Sequence, residues 1–305
     1  MHPHLHTSTP VHIYTNTCLR ENTSIRKRVP HCVRNESASE RVIIGAMPQP
    51  CLFCDNSPGS REHLWPAWIH RRKDFGPLRL QRGTSPEVIV HNPQQTVKTV
   101  CGTCNGGWMS TLEAENIPLI GSMFQDISIP LNAAQQHSVA AWAMKTAMMF
   151  ESTKGRNAAN GFYTHEEGVN LRVSRTIPAR TRIWIGRISE QHLGASGTDF
   201  TIQTTDGTRL GTGSVATITA GHFVVQVVTS HIALEYADLS IPEVQPKPGD
   251  WDKMLLKIGP PEQLSLEWPP KVSFTNGGPL GFAYLLDRWR VGGKVAQVTK
   301  DGVVE

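Results

Sequence analysis

The chain has 305 residues, of which 39% are hydrophobic and 18% charged, with 26 Gly and 21 Pro. That mixture describes a loop-rich globular protein and excludes a coiled-coil or wholly disordered chain. A formal net charge of +4 at pH 7 permits a polyanionic partner without requiring one, and no stretch approaches the ~18 apolar residues of a membrane helix.

Residues 1–46 differ from the rest. They carry His2, His4, His6, His12 and His31 among scattered polar residues, and their basic side chains outnumber the acidic ones. No helical or strand period persists there, so a mostly disordered extension is expected. Met47 stands just before the first motif, and translation starting there would make the extension an artefact of start-site choice. An N-terminal peptide from before Met47 in the native protein contradicts that reading. No apolar run follows a basic start, which argues against a secretory signal and for a reducing, cytoplasmic compartment. In that setting paired cysteines read as metal ligands rather than disulfides.

Residues 47–125 hold most of the candidate chemistry. "SREHLWPAWIHRR" predicts a short helix starting near Pro66, with Trp65, Trp68 and Ile69 facing inward. "LRLQRGTSPEVIVHN" predicts a β-hairpin, with "RGTSP" as the turn. "CNGGWMSTLEAEN" opens a second helix, with Trp108 and Leu112 one turn apart.

Residues 126–158 predict an amphipathic linking helix. Asn132 is its cap, and Val139, Trp142, Ala143, Thr146 and Phe150 recur at helical spacing. Residues 159–305 read as a mostly antiparallel β-rich domain of short strands, in a small sandwich or barrel. Within it, "KPGDWDKMLLKIGPPEQLSLEWPP" reads as a Pro-rich connector around one short helix. The expected fold class is α+β.

Four of the six cysteines form two C-x-x-C pairs, Cys51 with Cys54 and Cys101 with Cys104. Zinc takes four tetrahedral ligands, and two pairs flanked by turn residues (Asp55, Asn56, Gly102, Asn105, Gly106) supply four thiolates. A filled four-thiolate shell leaves no position for water, so this zinc would be structural and do no chemistry.

"CLFC", then "REHLWPAWI", then "VCGTCNGGWMSTLE" together resemble the HNH endonuclease superfamily, in the variant whose paired C-x-x-C motifs bracket the nuclease motif. The resemblance covers residues 51 to about 116. It implies a ββα-metal core, a hairpin and a helix around one catalytic divalent cation, on a treble-clef zinc support. It also implies hydrolysis of nucleic-acid phosphodiesters, DNA first. By it, His63 would be the general base, a task for which an imidazole is suited. Glu62 and Asn105 would ligate the cation; carboxylate and amide oxygens are hard ligands, so Mg2+ or Mn2+ is expected. The family's middle Asn has only Asn92, Gln94 or Gln95 as counterparts, and His91 is an additional candidate ligand. Arg71, Arg72, Lys73, Arg79 and Arg82 are the expected nucleic-acid contacts. A rival reading keeps the scaffold without cleavage: a zinc-binding treble-clef module that recognises nucleic acid or protein.

Overall fold

The computed structural model describes residues 49–75, 78–82, 88–90, 96–154, 161–204, 208–237, 249 and 253–275, with strand segments at 11–15, 244–246, 289–291 and 294–295. The expected N-terminal disorder, apart from 11–15, and the stretch 91–95 lie outside these residues. In chain order the elements begin with β1 (Val11–Thr15), β2 (Ser60–His63), α1 (Ala67–Arg72), β3 (Leu78–Arg82), β4 (Val88–Val90) and β5 (Thr96–Val100). A short α2 (Gly102–Cys104) runs through a π-turn at Asn105–Met109 into α3 (Ser110–Phe124). Then come β6 (Ile129–Asn132), α4 (Ala133–Glu151), α5 (His165–Ser174), β7 (Thr181–Thr204), β8 (Arg209–Ile232), β9 (Val244–Pro246), β10 (Leu255–Gly259), β11 (Ser265–Trp268), β12 (Trp289–Val291) and β13 (Lys294–Val295).

Two strands of 24 residues each, β7 and β8, form an antiparallel ribbon from Thr181 opposite Thr229 to Gln203 opposite Arg209. The other edge of β7 is shared by three short partners: β10 against Gly186, β3 against Gly194–Gly197, and β1 against Thr204. Among the strand pairs of the described residues only β3–β7 is parallel, and the isolated bridge of Ile188 with Phe274 is parallel too. The expected hairpin of β3 and β4 therefore forms, but as an extension of this sheet. Alternate β8 residues leave by opposite faces. Phe223, Val225 and Val227 join the core cluster that contains α4, while Val224 and Val228 join a second cluster with Trp184 and Phe274. Burial on both faces explains why β8 reads as a nearly unbroken apolar and Thr-rich run. The bulge between Arg187 and His192 meets Gly221, whose φ of +64° strongly favours glycine.

The molecule is mixed helix and largely antiparallel sheet, as the α+β expectation held. Two local readings change. The supposed connector forms β10 and β11: Leu266 and Trp268 reach the core at the two-residue strand spacing, and Leu255 and Ile258 join separate core clusters, with a register shift between Lys257 and Gly259. The expected amphipathic helix, α4, is buried on all sides from Val139 to Phe150. Its other face is Ala and Met apart from the single buried Lys145, and α3, β8 and β10 pack against it. Asn132 caps it as expected, in a reciprocal pair with Gln135 at 2.9 Å in each direction.

After α3, Asp126 sits at φ +64° and takes two hydrogen bonds from the Arg187 guanidinium, one of 2.6 Å from Nε. That contact holds its carboxyl below the usual range. A depressed folded-state pKa adds stability above the unfolded value of ~3.9, and the addition is lost as pH falls through the folded value. Asp126→Asn keeps a residue that tolerates the left-handed backbone. Its expected cost at neutral pH is about 1.5–3 kcal/mol, closing in acid; urea melts at several pH values measure it.

Candidate functional site

The four cysteine Sγ atoms of Cys51, Cys54, Cys101 and Cys104 all lie within 4.8 Å of one another, close enough to hold a metal ion such as zinc. Local backbone builds this cluster. Cys51 and Cys54 sit in a tight turn whose Phe53 amide donates to Cys51 Sγ at 3.5 Å. Cys101 follows β5 directly and caps α2, its Sγ accepting from the Cys104 amide at 3.3 Å. The Cys101 amide in turn donates to Cys51 Sγ at 3.2 Å. Burial pushes Cys51 and Cys104 up. Burial also acts upward on Cys101, but hydrogen bonds from the Cys104 amide and neighbouring thiols outweigh it and bring it down to about 6. Four adjacent thiolates repel one another, and a bound cation removes that conflict. The turn is clamped from outside by α5, where an added Cβ on Gly168 would lie 2.0 Å from the Leu52 carbonyl oxygen. Arg172 also donates to the Phe53 carbonyl at 2.8 Å.

Beside this cluster, β2 and β5 pair antiparallel, with Glu62 opposite Val97 and His63 opposite Thr96. The helical segment that starts at the second cysteine pair runs past them. Together they bound a cleft of about 240 Å³ lined by Glu62, His63, Pro66, Ala67, Asn105, Gly106, Ser110 and Glu113. Glu62, His63 and Asn105, marked from sequence, thus share one cleft. Asn105 Nδ2 donates to Ser60 Oγ at 2.9 Å and to the Arg61 carbonyl at 3.1 Å. With both amide protons engaged, Oδ1 is the remaining donor atom for a cation.

Two residues at this site escaped the sequence reading. Lys145, from the middle of α4, is 1% exposed. Its Nζ lies 2.7 Å from Glu113 Oε1 and 3.6 Å from Glu62 Oε1. Burial raises the Glu62 pKa, the Lys145 charge works against that, and Glu113 adds to it. The available signal was a lone lysine in the apolar run "AAWAMKTAMMF", because a buried ammonium requires a counter-charge. Nothing in the sequence said where that counter-charge lay.

The basic candidates separate. Arg71 is exposed, and Arg72 lies 5.2 Å from the Trp68 ring centroid. Lys73 donates to Gln191 at 2.6 Å. Arg79 and Arg82 are on β3, with side chains outside the described residues, as are His91, Asn92, Gln94 and Gln95. Trp65 is core, donating to the Thr219 carbonyl at 3.2 Å. His70 on α1 is a half-buried imidazole whose pKa is lowered by burial first and by His63 second. Among the described residues, no helix is long and apolar enough to cross a membrane. The chain matches no family model, no curated protein and no solved structure.

Proposed function

We propose that the protein is a metal-dependent endonuclease of the HNH type, hydrolysing nucleic-acid phosphodiesters with DNA as the expected substrate. The observation that carries this reading is the convergence of Glu62, His63 and Asn105 in one cleft beside the four-cysteine cluster. The order of parts also fits a treble-clef support: a cysteine turn, a β-hairpin of β2 and β5, then a helix whose start carries the second cysteine pair.

Each side chain has a defined task on this reading. The four cysteines hold a structural zinc that fixes β2 against α2. His63 accepts the proton of the attacking water as the new P–O bond forms and the bond to the leaving oxygen breaks. Glu62 and Asn105 Oδ1 hold Mg2+ or Mn2+, which when bound supplies charge stabilisation for the phosphate and the leaving oxygen. The hydrogen bonds to Ser60 and Arg61 hold the Asn105 amide through its nitrogen and leave its oxygen for the cation. Arg71 is exposed for contact with the phosphate backbone.

One observation favours the rival, a zinc-held module that binds nucleic acid or protein without cutting. Lys145 already partly neutralises Glu62 from the buried side. Supercoiled plasmid incubated with purified protein separates the two readings. Nicking that requires Mg2+ or Mn2+ and stops with chelator is the expected result. Retardation of the DNA on a gel without nicking in either metal supports the rival.

A further inference from the structure

The buried ion pairs at the back of the cleft have an unusual arrangement. Lys145 approaches Oε1 of both Glu62 and Glu113. The Oε2 atoms of these two carboxylates have no partner among the described residues, although both residues line the cleft. Glu62 is only 7% exposed, so its carboxylate is held between the buried Lys145 ammonium and the cleft that it lines. A purely structural ion pair is an expensive way to fill a core, since apolar packing serves stability as well or better. An ammonium on the buried side of two carboxylates is instead the arrangement by which outer contacts orient metal ligands.

We propose that Glu113 is a further ligand of the divalent cation in this cleft, and that Lys145 is a positioning residue holding Glu62 and Glu113 for it. Glu113 is in the first turn of α3 and Asn105 begins the π-turn just before it, so one helical segment supplies two ligands and β2 supplies the third. Two carboxylate oxygens and one amide oxygen suit Mg2+ or Mn2+, which takes about six oxygen ligands and keeps several waters. Lys145 itself is not part of the cleft lining; it acts through the carboxylates. This proposal rests on the cleft being a cation site, but not on cleavage taking place there.

The test is titration of the zinc-loaded full chain with Mn2+ alone, free Mn2+ being read by electron paramagnetic resonance. Wild type is expected to bind one Mn2+. Glu113→Gln and Lys145→Met are each expected to weaken it about 10- to 100-fold, and Lys145→Arg to restore most of the affinity. Glu115→Gln, on the same helix but bonded to Arg175 at 2.8 Å, is the control and should bind as wild type does. Glu113→Gln with wild-type affinity overturns the ligand assignment, whatever the protein does to DNA. Folded Lys145→Arg and Lys145→Met chains that bind equally weakly overturn the positioning role. Should Lys145→Met fail to fold by circular dichroism, Lys145→Arg and Lys145→Gln carry that arm. No Mn2+ binding by wild type overturns both this inference and the endonuclease reading. Binding that follows the expected pattern with plasmid left intact upholds the inference and removes the endonuclease.

Discussion

Stripping the metal from the four-cysteine cluster is expected to unfold the region around β2, β5 and α2. The turn at Cys51–Cys54 meets the end of β5 and the start of α2 through few contacts: the Cys101 amide to Cys51 Sγ at 3.2 Å, the Leu52 amide to the Thr99 carbonyl at 2.9 Å, and the Phe53 and Trp108 rings. Structural zinc sites contribute an apparent ~10–16 kcal/mol near pH 7, which matches or exceeds the ~5–15 kcal/mol net stability of a typical protein. Cys104→Ser is therefore expected to lose its zinc, and with a loss of even about 5 kcal/mol the thermal midpoint should fall by roughly 10–20 °C. Metal analysis of wild type should give about one zinc per chain. A Cys104→Ser chain that melts with wild type would remove the cluster from the scaffold. Because Glu62 and Asn105 are held by that scaffold, the Mn2+ binding proposed for the cleft should be lost in the same variant.

The second large effect is expected at Lys145. Replacing it with Met removes the only charge that lies between Glu62 and Glu113 among the described contacts, and leaves two carboxylates facing each other. Breaking a buried ion pair on one side typically costs about 3–5 kcal/mol. The pH dependence follows from Glu62. Burial holds its folded-state pKa above the unfolded value, and Lys145 pulls it back; without Lys145 it rises further. A raised carboxyl pKa means that stability falls as pH climbs from the unfolded pKa through the folded one. The deficit of Lys145→Met relative to wild type should therefore be largest at neutral pH and shrink towards pH 4. Combining Glu62→Gln, Glu113→Gln and Lys145→Met removes all three charges and should recover most of the loss. If the triple variant is as unstable as Lys145→Met alone, packing rather than charge explains the lysine.

What the sequence revealed divides along physical lines. Contacts set by neighbouring residues were legible: the helix starting at Pro66, the cap at Asn132, the β3–β4 hairpin and the two cysteine turns. The cysteine cluster was legible because metal chemistry demands four ligands and the spacing offered them. α5 carried its own signature, Thr164 with Glu167 three residues on in a reciprocal cap, and was overlooked inside a β-rich stretch. The two 24-residue strands were read as several shorter ones because glycines at 186, 194, 197, 211, 213 and 221 look like turns. Most of these are instead places where another group approaches closely; at Gly213 an added Cβ would meet the Phe200 ring at 1.9 Å. β10 and β11 were hidden by flanking prolines. The pairing of Lys145 with Glu62 and Glu113 spans 83 and 32 residues of chain, and no local rule connects such positions.

If His63 is the base of a phosphodiester-cutting cleft, one rate ratio shows it. Plasmid nicking is measured for wild type and His63→Ala at saturating Mg2+ or Mn2+, with zinc content and melting temperature matched. A positioned general base contributes about 10²–10⁴-fold, so a loss of at least about 100-fold is expected in His63→Ala. Nicking by His63→Ala at the wild-type rate would contradict it.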